Sequence, residues 1–166
     1  MRYDGLLVAL LIAWSAGTGA AAQATANGVG GKHACALLST AEIQRAAGRS
    51  DVARSPGHAE EVPYTSNCQY WGAVDITIHL GDQTKVMFAR ERDTYAKAPA
   101  RLGYTIEPVP NLGDDAYFFS YKGRVEVRVM AGETELVVSL SGSLPSAPDA
   151  QQMALNLARA AFAKLR

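Results

Sequence analysis

The chain has 166 residues, 48% of them hydrophobic and 19% charged, a composition that excludes a mostly disordered polypeptide. Lysine plus arginine and aspartate plus glutamate both number 16, so the formal charge is zero and no global field draws the chain to nucleic acid or anionic lipid. The length, without an internal repeat, predicts one domain.

Residues 1–22 read as a secretory signal peptide. Arg2 supplies a short positive start, Leu6 to Trp14 is a continuous apolar run, and Ala20-Ala21-Ala22 before Gln23 fits a cleavage site. The run is short for a transmembrane helix, and an uncleaved N-terminal anchor is the alternative. Residues 23–33 are rich in small and polar residues and are expected to form a flexible lead-in to a single domain over 34–166. Export places the chain in the periplasm or outside the cell, where Cys35 and Cys68 are expected to form a disulfide.

Ser39 and Glu42 match a capping box, which predicts a helix from Thr40 to Ala47 that stops at Gly48. Residues 49–63 are polar around Pro56-Gly57 and read as a surface loop. Ser66 to Tyr70 and Val74 to Leu80 read as a hairpin, and side-chain parity sets Cys68 opposite Ile76 and Tyr70 opposite Val74. Residues 82–100 fit a helix better than a strand. Tyr104 to Val109 is extended, with a turn at Asn111-Leu112-Gly113.

Three strands follow, Ala116–Tyr121, Arg124–Met130 and Glu133–Leu140, joined by two-residue turns at Lys122-Gly123 and Ala131-Gly132. In that register Val127 faces Phe118 and Leu136, and Arg128 lies opposite Glu135. A last helix begins at Ser146, its apolar stripe running from Met153 to Leu165. The expected fold is α+β in the order α-β-β-α-β-β-β-β-α, a largely antiparallel sheet of five to six strands with helices on one face.

Few residues point to chemistry. His33, His58 and His79 are scattered without metal-ligand spacing, no nucleophile elbow or phosphate loop is present, and no cofactor or metal is expected. Asp114-Asp115 diverge on extended backbone and read as turn residues; with His79 they are the only basis for a small hydrolase. The candidate binding face is a row of rings, Tyr117, Phe119 and Tyr121, opposite Arg128, Glu126 and Arg124. Rings beside Arg124 and Arg128 suit a protein, peptide or glycan partner. The alternative is that the chain covers this face itself, and burial of Phe119 under its own helix would end the binding-face reading.

Three stretches carry a family resemblance: Ala34-Cys35-Ala36-Leu37-Leu38-Ser39 with Glu42, then Cys68-Gln69-Tyr70, then Pro108 to Tyr117 with its Leu112-Gly113-Asp114 turn. Together they resemble exported and lipoprotein domains of unknown function from bacteria, actinobacterial lipoproteins among them, over about residues 34–166. The resemblance implies two paired cysteines around a first helix and a strand, and it brings no catalytic residues. This chain lacks a lipobox, which implies a soluble form without a membrane anchor after cleavage. The resulting expectation is an exported, non-catalytic domain that binds a protein, peptide or envelope component, without nucleic acid; the alternatives are a small periplasmic hydrolase and an accessory subunit of an envelope assembly.

Overall fold

The computed structural model describes residues 32–70, 74–142 and 147–166. The expected signal peptide, most of the expected lead-in and Trp71-Gly72-Ala73 lie outside these residues. So does Ser146, the expected start of the last helix.

Two helices open the domain. α1 is a single turn, Ala34–Leu37, and α2 spans Thr40–Ala47. The predicted capping box is present: Ser39 Oγ accepts from the Glu42 amide at 3.3 Å, and the Glu42 carboxylate accepts from the Ser39 amide at 2.8 Å. Gly48 ends α2 at φ +62, a conformation that costs glycine little.

Seven strands among the described residues form one antiparallel sheet. They are β1 (Arg54–Val62), β2 (Thr65–Tyr70), β3 (Val74–Leu80), β4 (Thr105–Pro108), β5 (Asp115–Tyr121), β6 (Arg124–Ala131) and β7 (Thr134–Leu140), in the spatial order β1-β2-β3-β7-β6-β5-β4. The count exceeds the expected five to six because residues 54–62, read as loop, form β1. The Pro56-Gly57 pair gave a turn signal. An edge strand tolerates such a pair, and the β1–β2 register is irregular between Arg54 and Ala59.

The hairpin register holds, with Cys68 opposite Ile76 and Tyr70 opposite Val74. The β6–β7 turn does not. It falls at Gly132-Glu133, so Ala131 pairs with Thr134, Val127 with Val138, and Arg128 with Val137. The two-residue offset leaves every side chain on its predicted face. The same core therefore forms with different neighbours.

That core lies between one face of the sheet and α1, α2 and the final helix α4 (Ala147–Leu165). Ile76, Ile78, Val127, Leu136 and Val138 from the strands meet Ala154, Leu157 and Ala161 of α4. Cys35 on α1 is bonded to Cys68 on β2 across a separation of 33 residues, which on the loop-entropy model stabilises the fold by about 3–4 kcal/mol. The Tyr70 hydroxyl donates to the Leu38 carbonyl at 2.5 Å, a second tie between this helical end and β2.

The expectation of helices on one face is corrected by α3 (Asp82–Ala96), which lies on the opposite face. Thr84, Phe88, Glu91 and Tyr95 recur at helical spacing along its inner side. Phe88 and Tyr95 pack on Tyr117 and Phe119 of β5, with ring centroids 5.0 and 4.4 Å apart. The aromatic row of β5 requires cover, and α3 supplies it.

Candidate ligand groove

Strand alternation sends one set of residues to the helical core and the other to the α3 face. On β5 that second set is Tyr117, Phe119 and Tyr121. On β6 it is Arg124, Glu126 and Arg128; on β7, Glu135, Val137 and Ser139. On β3 it is Asp75, Thr77 and His79, and on β2 Thr65, Asn67 and Gln69. α3 covers the aromatic part, and the polar part becomes the floor of a groove.

Two adjoining hollows make up the groove. The larger has a volume of about 550 Å³ and lies where β3 runs into α3; its walls include Tyr64, His79, Asp82, Met87, Glu91, Arg128 and Glu135. The second, about 330 Å³, continues over Asn67, Asp75, Thr77, Arg124, Glu126 and Ser139. His79 and Arg128 border both.

Arg128 organises the floor. Its guanidinium bonds to Glu126 at 2.9 Å, to Glu135 at 3.2 Å and to Glu91 of α3. Glu126 also receives Arg124 at 2.6 Å, and Arg124 donates to Ser139 at 3.1 Å. Burial opposes charge on Arg128, but Glu126 and Glu135 outweigh it and hold the guanidinium above its ordinary value. Burial pushes the Glu135 carboxyl up to about 7, Arg128 pulling the other way while Glu91 and Glu126 add to the rise. Burial, then Arg128, lowers His79 from its ordinary value, so the ring is neutral at pH 7. The His79 Nδ1 lies 3.3 Å from the Thr65 hydroxyl.

A pH dependence follows. Because the folded-state pKa of Glu135 lies above its ordinary value of 4.5, its stabilising contribution is whole below 4.5 and is lost as pH rises through about 7. The loss is at most about 3 kcal/mol, at about 1.4 kcal/mol per unit. Glu135→Gln is therefore expected to be more stable than the parent at pH 8, by about 1–2 kcal/mol once the weaker bond to Arg128 is allowed for, and no more stable at pH 4. Urea unfolding at the two pH values checks this; a variant less stable at pH 8 contradicts it.

The sequence-predicted ring face is not a surface. Tyr117 is 1% exposed and Phe119 7%, both under α3, and Tyr121 stacks on Tyr104 at 4.6 Å. The condition set for the binding-face reading, an exposed Phe119, is not met. Arg124 and Arg128 do reach a cavity, from its floor. The hydrolase constellation does not assemble either: Asp114 accepts from the Gly132 amide at 2.7 Å, Asp115 pairs with Arg92, and neither carboxylate lines the groove that holds His79. Glu91 and Tyr64 were not among the expected site residues, and Glu126 and Glu135 entered only as cross-strand partners. Alternation alone marks the polar face; what makes it a groove is the placement of α3.

Among the described residues, no group of three or more His, Cys, Asp or Glu is arranged to hold a metal ion, and no helix is long and apolar enough to cross a membrane. No protein-family model matches the chain, and no curated protein matches it. A solved structure of a GTP binding regulator from Thermotoga maritima is similar over 79% of this chain and 93% of its own, with 11% identity and a TM-score of 0.39, a likeness too slight to carry an argument.

Proposed function

We propose that this is an exported, non-catalytic binding domain whose site is the groove beside α3, and that it takes up a peptide segment or a comparable component of the cell envelope. The observation that carries the reading is the half-covered sheet face: one helix closes the aromatic half and leaves a walled hollow with charged groups on its floor over β2, β3, β7 and β6. Concave sites with a few fixed polar groups are where ligands bind. The disulfide and the signal-like N-terminus support export. A second reading, proton-transfer catalysis, is favoured by one feature, the Glu135 carboxyl held near neutrality in the cavity.

The test is amide chemical-shift mapping on the oxidised domain. Probes are acetyl-Gly-Xaa-Gly-amide peptides with lysine, glutamate, glutamine or norleucine at Xaa, and chitotriose as a glycan. Saturable shifts in β3, β6 and β7 that disappear in the folded Thr77→Trp variant, whose indole would fill the groove, are the expected result. No probe entering the groove would overturn the reading, and turnover of a bound probe would move it to the catalytic alternative.

A further inference from the structure

The rim of the larger cavity carries an aromatic ring that the fold does not use. Tyr64 is 68% exposed and lines the hollow. It sits in the two-residue turn between Val62 and Thr65, after Pro63, at φ +71. A proline followed by a positive-φ residue is the pattern of a turn that favours glycine or asparagine at the second position. A tyrosine there is held at a backbone cost that no burial of its ring offsets. The Tyr64 carbonyl accepts from the Leu80 amide at 2.9 Å, which fixes the turn against the end of β3. The ring lies over Gly81, its Cδ1 3.7 Å from where a Cβ would stand.

The charge of the same cavity selects its guest. Its walls carry three acidic side chains, Asp82, Glu91 and Glu135, the last about half ionised at pH 7, against one guanidinium, Arg128, which is already bonded to Glu91, Glu126 and Glu135. Such a cavity attracts cations and repels phosphate or carboxylate. Leu80 and Met87 give the wall an apolar strip, and Met87 is 58% exposed. An ammonium on a flexible apolar stem matches a ring face, an apolar strip and carboxylates at once. The second hollow prolongs the site across four strands, roughly 14 Å at ordinary strand spacing, which suits a chain better than a compact molecule.

We propose that Tyr64 is a ligand-stacking residue, and that its ring together with Asp82, Glu91 and Glu135 receives the lysine side chain of a bound peptide. This rests on the groove reading above and names its substrate class.

The lysine peptide is expected to bind at least tenfold more tightly than its norleucine or glutamate counterpart. Tyr64→Gly is expected to weaken lysine-peptide binding about 3- to 30-fold, the range of a cation–π contact, while melting at the same temperature as the parent or higher. Tyr64→Phe, which keeps the ring, should bind within about threefold of the parent. Equal binding of norleucine and lysine peptides, parental binding by Tyr64→Gly, or a lowered melting temperature in Tyr64→Gly would each overturn the proposal. Chitotriose entering the groove in place of the lysine peptide would overturn this inference and leave the groove standing; no probe entering would overturn both.

Discussion

Arg128→Ala is expected to destabilise the domain by about 3–5 kcal/mol at pH 8, and by clearly less at pH 5. The guanidinium is bonded to three carboxylates, two of them on side chains only 4% and 6% exposed. Removing it strands those charges rather than merely deleting their attraction. Glu126 retains Arg124, but Glu135 has no other cation among its bonds described above. The pH dependence has a definite sign. Glu135 already titrates at about 7 with Arg128 present, and losing the one group that pulls its pKa down raises it further. At pH 5 the carboxyl is protonated in parent and variant alike and tolerates burial; above neutrality the variant must either keep it protonated, against an unfolded state in which it is ionised, or ionise it without a partner. The cost of the substitution therefore grows with pH. Urea unfolding at pH 5 and pH 8 measures it; a cost under about 1 kcal/mol at pH 8 would mean that water satisfies these carboxylates and that the network is not a buried one. Combining Arg128→Ala with Glu135→Gln should recover part of the loss, since the second change removes the stranded charge.

Local signals were legible in the sequence where they act over a few residues. The Ser39–Glu42 box and Gly48 define α2 at both ends, and alternation from Val74 to Leu80 defines a half-buried strand. Parity also placed Cys68 inward, where it meets Cys35, though on a one-turn helix ahead of the expected one. The errors came where a signal was weak or non-local. Ala131-Gly132 and Gly132-Glu133 are both two-residue turns containing glycine; the chain takes the one with glycine first, at φ +60, where alanine would be strained, and so pairs Val127 with Val138. β1 carries turn residues that only an edge position accommodates. For the site, alternation showed that Arg124 and Arg128 share a face with Tyr117, Phe119 and Tyr121. It could not show that α3 would cross to that face. The inner stripe of α3 is mixed, with Thr84 and Glu91 beside Phe88 and Tyr95, because the helix spans the boundary between an aromatic patch and a charged groove. The feature that obscured α3 in the sequence is the one that makes it a groove wall.

Gly113→Ala is the second large effect, expected at about 3–4 kcal/mol. Gly113 stands at φ +68, where an L side chain is strained. A Cβ there would lie 2.4 Å from the Met130 carbonyl oxygen and 2.8 Å from Val129 Cγ1. The obstacle is the backbone of a paired strand, so relief requires moving the end of β6. It cannot move freely, because the next residue ties it down: the Asp114 amide donates to that same Met130 carbonyl at 2.7 Å, and the Asp114 carboxylate accepts from the Gly132 amide at 2.7 Å. The Gly113-Asp114 pair therefore latches the β4–β5 connection onto the end of the β6 hairpin. This gives the Leu112-Gly113-Asp114-Asp115 turn a structural role in place of an acid–base one. Gly123→Ala is the internal control. Gly123 has a similar φ of +79 but nothing within 4 Å of its would-be Cβ, so it should cost only the backbone term, about 1–2 kcal/mol. The two variants share one conformational penalty and differ in steric contact, and their urea midpoints at constant slope isolate the latch. Equal costs would mean that β6 yields at Met130 and that the Asp114 hydrogen bonds hold the connection loosely.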